Sequence, residues 1–482
     1  MKQPQNPAGE RTRRIDWLLL TGAMLGRFLS GLSSRIFMIS LPTMAAGLGT
    51  DLLGISWALI SFQLASISFS IIFGRVGDVY GRQKIYGLGF IVFTISTFLC
   101  GISQTILQLI LLRFVQGLGS AMIESATRVL AMDAMPEGYE GKAQGIMSST
   151  FHFGFFIGPP VGGLIIDYLH WRGVFFVLIP IALAGAALTF VRLGSRGEKP
   201  MAARTSIDYL GAALLVILVV MLTFLMDRKA AEAVGLAEKA WLTLAFAGVL
   251  GGFLAQEVKN PSPIMNLSLF RIRMFTFSII SLVVVSIARG LAGFLMPFYL
   301  QQILNLSPTF IGLMFLATPI FSVTLAPLGG HLADKVGPRL PATLGVLALL
   351  IALIIGITLK VDSSWLLPLV ALGLTGVGTG FFNAANGAAI IGSVPRQHRG
   401  FATGMVHTGF DLGHMLGVST SGLLMALAFE HYSGVAGSVP GADNPGVFVA
   451  SMNVTYMVAA LLCLLPFATS LMRGSGRIQA AG

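Results

Sequence analysis

The sequence predicts an all-α polytopic membrane protein: fourteen transmembrane helices, built as two parallel six-helix repeats with two helices inserted between them. Three observations predict it. Of 482 residues, 55% are hydrophobic and 11% charged, and mean hydropathy is +0.83. Apolar runs of bilayer-spanning length, roughly 20 residues, recur from Trp17 to Met472. Two pairs of motifs repeat at a nearly constant offset. A soluble core cannot absorb so much apolar sequence. A spanning β-barrel is excluded because its strands alternate apolar and polar residues, and this chain does not.

The spans are expected at about 17–40, 52–73, 86–103, 105–130, 143–165, 171–192, 208–226, 240–256, 275–299, 308–330, 340–359, 365–391, 400–429 and 447–472. An even count puts both termini on one side. Of the 31 Lys and Arg, 21 sort to the side of the termini, 5 to the other and 5 fall inside spans. That bias orients both termini to the cytoplasm. It also accounts for the net charge of +11 without nucleic acid. The basic start (Arg11, Arg13, Arg14) runs straight into the first span, as an uncleaved helix would. Cys100 and Cys463 both lie in apolar runs and read as small buried hydrophobes.

The repeat has two signatures. "GRVGDVYGRQK" at 74–84 and "GHLADKVGPR" at 330–339 match at Gly74/Gly330, Asp78/Asp334 and Gly81/Gly337, an offset of 256. Both are expected to be short cytoplasmic loops. "HFGFFIGPPVG" at 152–162 and "HTGFDLGHMLG" at 407–417 match at His152/His407, Gly154/Gly409, Gly158/Gly413 and Gly162/Gly417, an offset of 255. The domains expected are a six-helix half at 1–195, a linker with two inserted helices at 196–262, and a second half at 263–482. Parallel repeats of this kind mark transporters, with the substrate between the halves.

In the first loop, Asp78 can cap a helix or pair with Arg82. In the fifth span, Gly154, Gly158 and Gly162 lie four apart and form a smooth stripe that another backbone can approach. Pro159 and Pro160 kink that span.

Ionisable groups inside the membrane mark function, since each costs at least ~2.5 kcal/mol to insert. Of the 20 acids, Glu124 and Asp411 fall well inside spans. Arg113, Gly117, Ser120, Glu124 and Arg128 form one stripe on the fourth span, with Glu124 and Arg128 at ion-pair spacing. Arg113 serves either helix bracing or proton coupling. Arg27, Ser30, Gly31, Ser34 and Arg35 form a polar stripe on the first span, and Arg289 lies on the ninth. His407, Asp411 and His414 fall at about 0°, 40° and −20° on one helical face. His414 and Asp411 are expected to form a proton-handling site, with a simple His–Asp hydrogen bond as the plainer alternative. A metal shared by both histidines is disfavoured, because they lie about 10 Å apart along a helix axis. No metal or cofactor is expected, and a membrane-embedded metalloenzyme or a non-transporting sensor are the competing classes.

These motifs resemble the major facilitator superfamily, and most closely its fourteen-span drug/proton antiporter branch. Gly74, Asp78, Gly81 and Arg82 fit the loop signature after span two, matched in part by Asp334 and Arg339. Arg113, Gln116, Gly117 and Gly119 fit the fourth-span signature. Gly154, Gly158, Pro159, Gly162 and Gly163 fit the fifth-span antiporter signature. Where that branch commonly has an acid eight positions before the Leu–Pro pair, here Leu41–Pro42, this chain has Ser33, with Arg35 close by. The resemblance implies a gating latch at 74–84 and a central cavity lined by spans one, four, nine and twelve. Arg27, Ser34, Arg35, Arg128, Arg289, Asn383 and Asn386 would then line it. Asp411, Glu124, His407, His414 and Arg113 would carry proton coupling. The implied protein is a monomeric exporter of drugs or other amphiphiles in the cytoplasmic membrane, driven by protons. The surplus of arginine over acid raises an alternative, an anionic or lipid-like substrate.

Overall fold

Helix is what these residues form because long apolar segments in a low-dielectric setting must satisfy every backbone N–H and C=O internally. The computed structural model describes residues 15–136, 139–196, 209–225, 236–260, 267–395, 398–435, 437–438, 440–441 and 443–472. Among them run α1 (Trp17–Gly47), α2 (Leu52–Tyr80), α3 (Arg82–Gly101), α4 (Ile106–Asp133), α5 (Glu140–Leu169), α6 (Leu178–Arg196) and α7 (Tyr209–Leu225). They are followed by α8 (Leu236–Lys259), α9 (Arg273–Phe298), α10 (Ala317–Val336), α11 (Arg339–Ile357), α12 (Leu366–Gly392), α13 (Arg399–Ser433) and α14 (Pro445–Met472). Single helical turns or short helices, Gly173–Phe176 and Pro308–Phe315, precede α6 and α10. By length and composition, 12 spans among the described residues can cross a membrane. The two long helices outside that set are α1 and α7; α7 has 17 residues, the lower limit for a crossing. Parts of the expected linker (197–208, 226–235 and 261–266) and both chain ends, with Arg11, Arg13 and Arg14, lie outside the described residues.

Starts and stops follow local chemistry. Asp16, Asp51, Thr105 and Ser307 each accept a backbone N–H in the first turn of the helix that follows. Asp16 also pairs with Arg192 at 2.8 Å, tying the start of α1 to the end of α6. The two repeated "loops" are corrected by the structure. Residues 74–80 and 330–336 are helical, and the breaks shrink to Gly81, at φ +105°, and to Gly337, at φ +86°, with Pro338. Only glycine adopts such angles without strain, so one residue suffices to reverse the chain.

The packing repeats. α1 lies against α4, α5 and α6, α2 against α4, and α3 against α4 and α6. In the same relation α9 lies against α12, α13 and α14, α10 against α12, and α11 against α12 and α14. α7 and α8 pack on each other, and α7 touches α2. The two groups meet where α2 crosses α13 and where α5 crosses the short helix Pro308–Phe315.

Glycines set the closest of these approaches. A Cβ on Gly154 would meet the Phe28 carbonyl, one on Gly158 the Arg35 side chain at 3.0 Å, and one on Gly162 Ile36 at 2.9 Å, all on α1. Gly413 and Gly417 bear on Val283 and Ile287 of α9 in the same way. Gly163 faces elsewhere: it lies against Pro308 and Thr309 of the other group, while Gly312 lies against the Pro159 carbonyl. At that end Asp167 accepts hydrogen bonds from the Thr309 backbone, at 2.8 Å, and hydroxyl, and Gln301 donates to Thr43 at 2.9 Å. By contrast, a Cβ on Gly145 or Gly404, near the starts of α5 and α13, would meet nothing within 4 Å.

Gly154→Leu is expected to lower the melting temperature and the folded yield, because overpacking a close contact costs about 1–3 kcal/mol. Gly145→Ala, at an open helical position, should lower neither and should raise stability slightly through helix propensity. Size-exclusion and thermal unfolding of the purified protein check this.

Candidate functional site

The five in-span arginines meet the cost of charge in different ways. Arg113 is 3% exposed. It donates to the Ala58 carbonyl (3.1 Å) and to Gln116 Oε1 (2.6 Å), and lies over the rings of Phe37 and Phe62 at 4.0 and 4.2 Å. Gln116 in turn donates to Thr97. Arg113 therefore ties α4 to α2 through the Ala58 carbonyl and to α1 through the Phe37 ring. The α4 stripe divides because of this: Arg113 and Gly117 pack on α2, while Glu124 and Arg128 turn to the centre.

Glu124 does not pair with Arg128, four residues on. It accepts from Arg27 Nη1 of α1 at 2.8 Å, with the two side chains 25% and 11% exposed. A cross-helix partner wins because Arg27 is already held over the Phe151 ring at 4.4 Å and points at Glu124. Arg128, Asp411 and His407 lie within electrostatic reach of this pair. Asp411 sits well inside α13, is exposed, and lies within electrostatic reach of Glu124, Arg27 and Arg128. Among the described residues no hydrogen bond or ion pair is formed by it.

The single face bearing His407, Asp411 and His414 thus serves two layers. His407 and Asp411 face Arg27, Glu124 and Arg128. His414, a turn further along, lies 3.3 Å (Nδ1) from Gln63 Nε2 on α2 and stacks on Phe410 at 6.3 Å. No His414–Asp411 hydrogen bond forms, so the plainer alternative for these two residues is not the arrangement adopted. The separation along the axis, not the angle around it, decides the partners.

Arg35 and Arg289 line one cavity together with His414, Met38, Met296, Phe315 and Tyr456. Arg35 lies over Phe155 at 3.9 Å and Arg289 over Phe410 at 5.4 Å. Ser34 is exposed and bonded to the Ser30 carbonyl at 2.6 Å. Asn383 is exposed, but Asn386 is fully buried and donates to the Ser278 carbonyl of α9. Asn386 is therefore a bracket between α12 and α9 and not a cavity residue. The three-residue offset to Asn383 turns it to the packed face.

In the repeated turns, Arg82 binds Asp78 at 2.7–2.8 Å, so Asp78 pairs and does not cap α3. Asp334 and Arg339 are both exposed, and no salt bridge between them forms. The residues that sequence reading passed over are Phe151, Phe155, Phe410 and Gln63. The first three are ordinary apolar residues by type. A signal for two of them was present, since Phe155 and Phe410 are separated by the repeat offset of 255.

The family profile of the Major Facilitator Superfamily matches residues 23–286 and 278–472. The chain belongs to the Major Facilitator Superfamily. It is similar to the riboflavin transporter RibZ of Clostridioides difficile, 29% identical over 93% of this chain and 95% of that one. It is also similar to the multidrug resistance protein Stp of Mycobacterium tuberculosis, 28% identical over 86% of this chain and 76% of that one. Among solved structures, a bacterial homologue of the human lysosomal transporter Spinster aligns with a TM-score of 0.68 at 14% identity, over 94% of this chain and 96% of that one. As a superfamily member the chain is a multi-pass membrane transporter of small molecules and not an enzyme.

Arg27→Gln and Glu124→Gln are each expected to lower thermal stability, and the double variant to lose less than their sum. The coupling should be about 1–2 kcal/mol, the range of a partly solvated charged hydrogen bond. Thermal unfolding of the four proteins in one detergent measures it.

Proposed function

We propose that this transporter is a proton-coupled antiporter that exports drugs or other amphiphilic small molecules across the cytoplasmic membrane. The observation that carries the reading is Asp411: an exposed carboxylate well inside α13, within electrostatic reach of the Arg27–Glu124 pair and of Arg128 on α1 and α4. Burial and a neighbouring cation act oppositely on a carboxyl group, so a change in how closely α13 approaches α1 and α4 can load or release a proton. Glu124 is the second candidate carrier, since losing its proton and holding Arg27 are the same event. His407 extends the cluster.

The architecture proposed with it is fourteen spans in a 6+2+6 order, with halves at 1–195 and 263–482 and the inserted pair within 196–262. The repeated packing of α1–α6 and α9–α14 supports it. So does the peripheral position of α8, where 11% of the window Ala240–Lys259 is buried. The excess of Lys and Arg on one side supports cytoplasmic termini. On that orientation the cavity opens inward, and Asp167–Thr309, Gly163–Pro308 and Thr43–Gln301 form the outer closure. The halves would rock about the central layer, with Asp78–Arg82 and its counterpart turn at Asp334–Arg339 controlling the inner end. The protein works as a monomer in this reading. The name of Stp supports a drug-like substrate. The name of RibZ, and the unpaired arginines, favour a second reading in which the substrate is a metabolite, anionic or lipid-like.

In proteoliposomes with an imposed pH gradient, the wild type should drive efflux of a cationic dye such as ethidium or of an anionic naphthalene sulfonate. Asp411→Asn should cut the gradient-dependent rate at least tenfold, and Glu124→Gln should reduce it as well. A full response in both variants overturns the carboxylate assignment.

A further inference from the structure

Two guanidinium groups in the central cavity have no acidic partner among the described residues. Arg35 comes from α1 and Arg289 from α9, so each packing group contributes one. They lie within electrostatic reach of each other. Each covers the face of a phenylalanine, and these rings, Phe155 and Phe410, are separated by the repeat offset of 255. The same Arg-on-Phe unit has therefore been placed once in each group, against the same cavity.

Stacking on a ring offsets part of the desolvation of a guanidinium but uses only its flat face. The N–H donors point outward from the edge, up to five per side chain. Arg35 has the Met38 sulfur at 3.6 Å as its partner, a weak acceptor. Arg289, among the described residues, has the ring alone. The other charged layer differs: there Arg27 and Arg128 are matched by Glu124 and Asp411. The positive charge of the cavity is thus concentrated at Arg35 and Arg289, with the neutral-capable His414 and Gln63 beside them. The remaining lining is mostly apolar or aromatic, including Met38, Met296, Phe315 and Tyr456, with the hydroxyls of Thr318 and Thr375 as its other polar groups.

We infer that Arg35 and Arg289 form a two-armed clamp for the anionic group of an amphiphilic substrate, a sulfonate, phosphate or carboxylate on an apolar body, held between the two helical groups. The edges of two stacked guanidinium groups suit planar or tetrahedral oxyanions, which each can bind through two N–H donors. The apolar wall takes the rest of the molecule. An anion between them also replaces a repulsion across the groups with two attractions, so binding favours their approach. This inference rests on the transporter reading above and specifies its substrate class.

The test uses full-length protein in phosphatidylcholine nanodiscs and calorimetric titration with naphthalene-2-sulfonate and its neutral isostere naphthalene-2-sulfonamide. The sulfonate should bind about tenfold or more tighter, which is about 1.4 kcal/mol. Arg35→Gln and Arg289→Gln should each reduce that preference to within twofold while leaving sulfonamide binding intact, which also shows the variants folded. Arg35→Lys should retain part of the preference, because it keeps the charge. Equal affinities in the wild type, or a preference that survives in both glutamine variants, overturn the clamp. Repeating the titration in phosphatidylglycerol discs identifies the source of the anion. Undiminished binding there assigns the clamp to a water-soluble anion, and competition assigns it to a lipid headgroup; both support an anion site. Gradient-driven efflux decides the transporter reading separately. Efflux without sulfonate preference sinks the clamp alone, and sulfonate preference without any gradient-driven efflux sinks the coupled-export reading alone.

Discussion

A charge in an apolar interior must find a partner or a polarisable surface, and the arrangement of this protein's centre follows from how each arginine does so. All five in-span cations are arginine, none lysine. That choice has a physical basis: a flat, delocalised, weakly hydrated cation can lie on a ring and still use its edge. Every one of Arg27, Arg35, Arg113 and Arg289 lies over a phenylalanine. What separates them is the edge. Arg113 has a carbonyl and an amide, Arg27 has a carboxylate, and Arg35 and Arg289 face the cavity. The series runs from edges bonded within the protein to edges facing the cavity.

The ring positions depend in turn on backbone contact. Phe151 and Phe155 sit on α5 beside Gly154 and Gly158, which let α5 touch the α1 backbone from Phe28 to Ile36. Arg27 directly precedes that stretch of α1 and Arg35 lies within it. A larger side chain on the stripe would move both rings from under both arginines. The fifth-span motif therefore has two faces. Its glycines fix α1 and the charges on it, while Pro159 and Gly163 meet residues 308–312 of the other group. One helix joins the rigid charge-bearing block to the closed end of the cavity. A family signature that reads in sequence as a kink is, in three dimensions, a connection between those two places.

The helices, the glycine stripe and the in-span charges were legible because each is local: periodicity, spacing and hydropathy record them within a few residues. Partners were not. Glu124 and Arg128 have good spacing on one helix, yet Arg27, 97 residues away, is the partner. Asp411 and His414 share a face but belong to different layers, because angle around a helix says nothing of what lies opposite at each height. Asn386 and Asn383 looked alike in sequence and differ only in which face each presents. The 74–84 segment read as a loop from its glycines and charges, but an i, i+4 pair and one positive φ make it two helices with a hinge. The aromatic partners were hidden for a different reason. Phenylalanine is expected anywhere in a membrane helix, so only the repeat offset could have singled out Phe155 and Phe410.

The two charged layers share their supports. α1 carries Arg27 in one and Arg35 in the other, and α13 carries Asp411 in one and His414 in the other. Between Arg27 and Arg35, and between His407 and His414, lie about two helical turns, roughly 11 Å at 1.5 Å per residue. Both helices are held by close glycine contacts within their own groups, and in the proposed rocking motion each would move as part of a block. A change in net charge in one layer alters the force between the blocks, and the other layer experiences that same displacement. A ligand shifts an equilibrium only by its differential affinity for the two states. Neutralising Asp411 by protonation and placing an anion between Arg35 and Arg289 are both changes in the charge balance across one interface. On the proposed reading, proton and substrate therefore need no contact with each other to be coupled. It is enough that α1 and α13 cannot move in one layer and stay still in the other.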